Sequence, residues 1–169
     1  MHIVLMLLSL RMRVLHGVFH SSMGSLAWDK RHEFWSLLRR LRQNWEGPWL
    51  VCGDFNEVLF QHEHLGIRSR TESQMDQFKD CLLHCGRVDL AFSGPVYTWS
   101  NRQEDESVVR VRLDQAVANG AFSTAFDDCY VENIITTTSD HFAILIRLQN
   151  LGGAAHRSVV QTGFRYEAA

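Results

Sequence analysis

Cysteine is scarce in this chain: Cys52, Cys81, Cys85 and Cys129 are the only four in 169 residues. That is too few for a disulfide-stapled scaffold, and their spacing matches no strong zinc pattern. Two prolines and eleven glycines exclude collagen-like and proline-rich low-complexity chains. A basic excess is also missing. Lys and Arg number 17 against 19 Asp and Glu, a formal net charge of -2, so there is no general cationic coat for nonspecific nucleic-acid binding. A local groove is still compatible with that balance. Long apolar runs are absent too. Ile3–Leu10 falls well short of the roughly 20 residues that span a bilayer. With no basic region before it and no clear small-residue cleavage site after it, it does not read as a secretory leader. A buried strand or an atypical start over residues 1–12 is expected, in an intracellular protein with no membrane partner.

What is present describes one ordinary domain. Hydrophobic residues make up 46% and charged residues 21%, a balance that rules out wholesale disorder. Val14–Phe19 reads as a strand and residues 30–43 as a helix capped by Asp29, with Phe34, Leu38 and Leu41 on one face. The apolar run Trp49–Cys52 does not alternate, so it belongs inside a covered sheet. Thr71 with Gln74 forms a capping box opening a helix to Cys85, and Gly86 stops it. Val96–Trp99 is β-rich after a turn at 92–95. Val108–Leu113 alternates between apolar residues and arginine and predicts a half-exposed strand ended by Asp114. Asn119 caps a short helix; Val131–Ile135 and Phe142–Leu148 complete the strands. The order is mixed, as in a layered α/β domain, with a loose tail over 149–169.

The acidic and amide residues cluster at strand ends. Asp54 and Asn56 are two apart just beyond a buried strand and point to the same side in extended backbone. Asp114 and the pair Asp140-His141 also flank apolar strands. All could gather at one rim of a sheet. Phosphodiester cleavage needs an activated water, donors on the phosphoryl oxygens and an oriented base, and hard oxygen ligands suit magnesium or manganese. Elsewhere, Asp89 is expected to be structural. Arg68, Arg70, Arg102, Arg110 and Arg112 form either a phosphate-facing groove or a solvated surface.

At these residues a resemblance emerges. Trp49-Leu50-Val51-Cys52-Gly53-Asp54-Phe55-Asn56 resembles the GDFN signature of the endonuclease/exonuclease/phosphatase superfamily. Val111-Arg112-Leu113-Asp114 resembles its RLD strand, and Ser139-Asp140-His141 its closing SDH motif. The segment from Phe92 to Asn101 (FSGPVYTWSN) is similar to one common in plant non-LTR retrotransposon members, which are apurinic-like endonucleases. The resemblance covers about residues 13–148.

The resemblance implies a four-layer α/β sandwich, two facing β-sheets flanked by helices, and Mg2+- or Mn2+-dependent hydrolysis of DNA. Asp54 would activate water; Asn56 and His141 would hold the phosphate; Asp114 would pair with His141; Asp140 would help bind metal or support His141. Trp99, Asn101 and Arg112 would face the substrate. A working enzyme of this kind implies a nuclear location. The family also carries an early Asn and a metal-binding Glu in its first part, and neither has a counterpart in matching context here. Glu33 and Glu57 do not substitute for that Glu, and Phe19 stands where the family has a Tyr. The sequence therefore predicts an incomplete sandwich: an inactive or impaired remnant with no cofactor, prone to self-association through an open sheet face. The alternative is an active retrotransposon-type endonuclease using Asp54, Asn56 and His141.

Overall fold

The computed structural model describes residues 2–8, 14–20, 28–137 and 139–148. The expected tail over 149–169 lies outside them. A five-stranded sheet organises the rest. Strand β1 (His2–Leu8) pairs antiparallel with both β2 (Val14–His20) and β3 (Trp49–Asp54). Strand β9 (Asp114–Ala118) lies on the far side of β3, and the edge is β5 (Val88–Asp89), giving the order β2-β1-β3-β9-β5. The apolar run near the start of the chain is thus an interior strand. Among the described residues no helix is long and apolar enough to cross a membrane.

Helices α1 (Trp28–Gln43) and α2 (Glu72–His84) cover one face of this sheet. Trp35 and Leu38 from α1 meet Phe78, Cys81 and Leu82 from α2 over Trp49, Val51 and Val117. Because α1 begins at Trp28, Asp29 lies in its first turn rather than at its cap. Thr71 and Gln74 bond as expected, the Thr71 N–H donating to Gln74 Oε1 at 3.1 Å. Gly86, at φ 60°, ends α2. Its N–H donates to the carbonyl of Leu83 and the Arg87 N–H to that of Leu82, the paired closure that a left-handed residue permits.

The other face of the sheet meets a second one. Strands β6 (Phe92–Ser93), β10 (Tyr130–Ile134) and β11 (Ala143–Arg147) run in the order β11-β10-β6. Val131, Ile144 and Ile146 pack on Leu50, Ala116 and Ala118, with Phe122 from α3 (Gly120–Ala125) closing the end. Strand β3 is therefore buried on both faces, which is why its sequence does not alternate. Asn119 ties α3 to the sheet: its Oδ1 accepts from the N–H groups of Phe122 and Trp49, both at 2.9 Å.

A separate three-stranded ribbon has the order β4 (His64–Leu65), β8 (Arg110–Val111) and β7 (Trp99–Ser100). Here the sequence expectation needs correction. The alternating run Val108–Leu113 is not one strand that Asp114 ends; only Arg110 and Val111 pair in the ribbon, and Asp114 begins the central strand β9. The chain changes sheets at Arg112-Leu113. Arg112 is drawn inward by Glu63 and Asp89, at 2.6 and 2.8 Å. The architecture is mixed α/β, with helices, main sheet and second sheet stacked in that order. The outer side of the second sheet, carrying Tyr130, Glu132, Ile134 and Arg147, is open among the described residues.

Candidate active site

The main sheet brings two acids side by side. Asp54 at the end of β3 is directly opposite Asp114 at the start of β9, and the Phe55 N–H donates to the Leu113 carbonyl at 2.9 Å. His141, just before β11, forms an isolated bridge with Trp99. Its Nδ1 lies 2.8 Å from Asp114 Oδ2. Ligand atoms of Asp54, Asp114 and His141 all lie within 4.8 Å of one another, the only such group of His, Cys, Asp or Glu among the described residues.

Asn56 completes the rim. It sits at φ 54°, a left-handed conformation that asparagine tolerates better than most residues. That bend lets its backbone N–H and its Nδ2 donate to the two oxygens of Asp54, at 2.8 and 2.7 Å. The i, i+2 relation read from the sequence is therefore a turn, with Asn56 holding Asp54 directly.

The electrostatics follow from crowding. Asp54 and Asp114 are only 7% and 8% exposed. Burial, then the neighbouring charge of Asp114, pushes the Asp54 carboxyl up to about 6; His141 and the Asn56 N–H oppose this. Burial alone would lower the pKa of His141. The hydrogen bond to Asp114 and the charges of Asp114, Asp54 and Asp140 outweigh it, and the imidazole is held above its ordinary value. A hydrogen bond from Nδ1–H to Asp114 leaves Nε2 as the nitrogen available to a ligand.

This arrangement fits a divalent cation. Two buried carboxylates supply hard oxygen donors with excess negative charge, which suits magnesium or manganese. A cation there would offset the burial and the Asp114 charge that raise Asp54. The expectation of an inactive remnant is accordingly overturned. Asp54, Asp114 and His141 are assembled in one cluster, the two acids buried and the imidazole partly exposed.

The other residues expected at the site separate into two groups. Asp140 is adjacent but outside the three-residue cluster; its Oδ2 accepts from the Trp99 indole N–H at 2.9 Å. Burial would raise the Asp140 carboxyl, but that bond and the charges of His141 and Arg102 hold it low. Trp99 thus braces the site, and its ring also packs beside Val58, Met75, Val111 and Leu113. Asn101 is not in the cluster. Its Oδ1 accepts from Gln103 and Val109 and its Nδ2 donates to Ser107, so it shapes the hairpin tip. Arg112 lies outside the cluster: it is 4% exposed, stacked over Phe92 at 4.2 Å and paired with Glu63 and Asp89. Asp89 is correspondingly structural.

Thr98 is not marked out in the sequence, and Glu57 is read there only as failing to replace the family's metal-binding Glu. Glu57 is fully buried and pairs with Arg31 at 2.7 Å and Arg70 at 3.6 Å. Its placement beside the GDFN segment is visible in the sequence, but not that two distant arginines, one on α1 and one in a loop, converge on it. Thr98 is fully buried, and nothing in a β-rich run marks one threonine as different from its neighbours.

A sequence model described as the Endonuclease/Exonuclease/phosphatase family matches residues 4–141. No curated protein matches the chain.

Proposed function

Since the chain belongs to the Endonuclease/Exonuclease/phosphatase family, we propose that it is an active phosphodiester hydrolase that cuts DNA, of the retrotransposon-encoded apurinic-like type. The observation carrying this reading is the assembled Asp54, Asp114 and His141 cluster. The similarity of Phe92–Asn101 to the segment of retrotransposon members supports the choice of DNA, as do exposed Arg68, Arg102 and Arg110. In this reading the protein works in the nucleus.

Asp54 takes the proton from the attacking water. A carboxylate with a pKa of about 6 is ionised at neutral pH yet more basic than an ordinary aspartate, which suits that task. Asn56 fixes the direction in which Asp54 accepts the proton and, with His141, holds the phosphate. Asp114 keeps His141 oriented and favours the imidazolium, which places positive charge where the phosphoryl oxygens gain negative charge. Mg2+ or Mn2+, held by Asp54 and Asp114 with Asp140 nearby, would supply further charge neutralisation at the phosphoryl and leaving oxygens. Trp99 presents an edge of the site toward the substrate while its indole N–H holds Asp140. In the four-layer sandwich that the resemblance implies, a further helical layer would cover the open outer side of the second sheet.

The test is conversion of supercoiled plasmid, and of a duplex bearing an abasic residue, to nicked product with Mg2+ or Mn2+. Cleavage by the wild type that is lost on chelation and in Asp54→Ala and His141→Ala supports the reading. Absence of cleavage on either substrate, or equal cleavage by Asp54→Ala, refutes it. Release of phosphate from small phosphomonoesters without nicking would instead identify a phosphatase.

A further inference from the structure

The Asp114–His141 pair joins two stretches that belong to different sheets, and one residue touches both. Thr98 donates its N–H to the Val111 carbonyl at 3.0 Å. Its hydroxyl oxygen accepts from the N–H groups of Leu113, at 3.0 Å, and Asp114, at 2.9 Å. Its carbonyl accepts from the Phe142 N–H at 2.7 Å, one residue beyond His141. The next residue, Trp99, bridges to His141 and holds Asp140.

Leu113 and Asp114 mark the point where the chain leaves the ribbon for the main sheet. Two consecutive buried N–H groups there aim at one place, and buried backbone donors need partners. A single side-chain oxygen on a short stem satisfies both. Leucine, valine or alanine would leave both donors bare, and a longer amide would not fit a position with no exposed surface. The Asp114 main chain is therefore held by Thr98 on one side while its carboxylate reaches His141 at 2.8 Å on the other.

We infer that Thr98 is the positioning residue that locks Asp114 against His141, joining the ribbon, the main sheet and the His141 segment at one atom group. The inference rests on the hydrolytic reading for its catalytic consequence but not for its geometry. Asp114 displaced by a fraction of an ångström would leave the imidazole in the wrong orientation for a phosphate. A residue that merely fills space or stabilises the fold would not produce that effect.

The experiment compares wild type, Thr98→Val and Thr98→Ser for nicking with Mg2+, at a temperature where circular dichroism shows each folded. Thr98→Val keeps the shape and removes the oxygen; it should lower kcat on the order of 100-fold, the cost of misplacing a catalytic group, with KM changed by no more than about threefold. Thr98→Ser restores the oxygen and should recover most of that loss. Amide hydrogen exchange supplies a readout independent of cutting. In the wild type the Leu113, Asp114 and Phe142 amides should exchange slowly as a group, and in Thr98→Val they should speed up together while Val51 and Val117 stay protected. An unchanged kcat in folded Thr98→Val, failure of Thr98→Ser to restore it, or rapid exchange at Leu113 and Asp114 in the wild type overturns the inference. Should Thr98→Val not fold, the wild-type and Thr98→Ser exchange patterns still decide. If the wild type cuts no DNA but the exchange pattern holds, the hydrolytic reading fails and the clamp stands.

Discussion

Replacing Asp54 by asparagine should make the metal-free protein more stable while abolishing its activity. The carboxyl is raised from 3.8 to about 6, first by burial and then by Asp114. A folded-state pKa above the unfolded value means the native state holds the proton more tightly. Native stability from this group is complete below about pH 4, declines as pH rises through about 6, and is fully lost above it. At about 1.4 kcal/mol per pH unit, the gap between 3.8 and about 6 amounts to roughly 3 kcal/mol at pH 7.5. Asp54→Asn removes that cost. It still offers Oδ1 to the Asn56 N–H, but its amide cannot accept from Asn56 Nδ2 as Oδ2 does at 2.7 Å, a loss of about 1 kcal/mol. The net expectation is a gain of about 2 kcal/mol, or roughly 4–8 °C in Tm for a domain of this size. Thermal and urea denaturation in chelator at pH 7.5 and pH 4.5 measure it. The gain should appear at the higher pH and nearly vanish at the lower. With Mn2+ added at pH 7.5, the wild type should be stabilised and the variant should not. A variant less stable than wild type at pH 7.5, or equally shifted at both pH values, would refute the account of a site held under charge repulsion.

Three further outcomes follow from the same geometry. The rate of DNA cleavage should rise with pH as Asp54 ionises, with a midpoint below the metal-free value of about 6 once the cation is bound, and fall at higher pH as His141 loses the proton that its acidic neighbours favour; in Asp114→Asn the falling limb should move to lower pH, measured as kcat/KM profiles. Arg112→Ala should destabilise by about 3–5 kcal/mol, because Glu63 and Asp89 lose their buried partner, while folded Arg112→Lys should keep kcat close to wild type; unchanged denaturation would contradict the assignment. Gly94→Ala should cost several kcal/mol. A Cβ at Gly94 would collide with the Asn133 carbonyl oxygen, and φ there is 87°. Near-ultraviolet circular dichroism and urea titration should show the second sheet loosening.

Much of the site is legible in the sequence because its residues sit where strands stop. Asp54, Asp114 and His141 each border an apolar run, and sheet pairing turns that linear pattern into a cluster. The Thr71–Gln74 pair, the Gly86 stop and the Asn119 cap are readable because each depends on contacts only a few residues apart. Strand β9 is harder. Gln115-Ala116-Val117-Ala118 has little β propensity, and its small side chains belong there because both faces are packed. The inward turn of Arg112 is not legible, because an alternating run gives no hint that one arginine sits between two acids. An inactive remnant is what results from seeking individual family residues along the chain, whereas the cluster is a property of the folded sheet.

The placement of the cluster has a consequence for synthesis. Asp114 and His141 are 27 residues apart, and His141 belongs to the last stretch that the second sheet requires. A nascent chain still held on the ribosome before that stretch has emerged carries Asp54 and Asn56 without the imidazole that completes the cluster. The Asp54, Asp114 and His141 cluster thus forms only after residue 141 has been made, and shorter nascent products carry its parts unassembled.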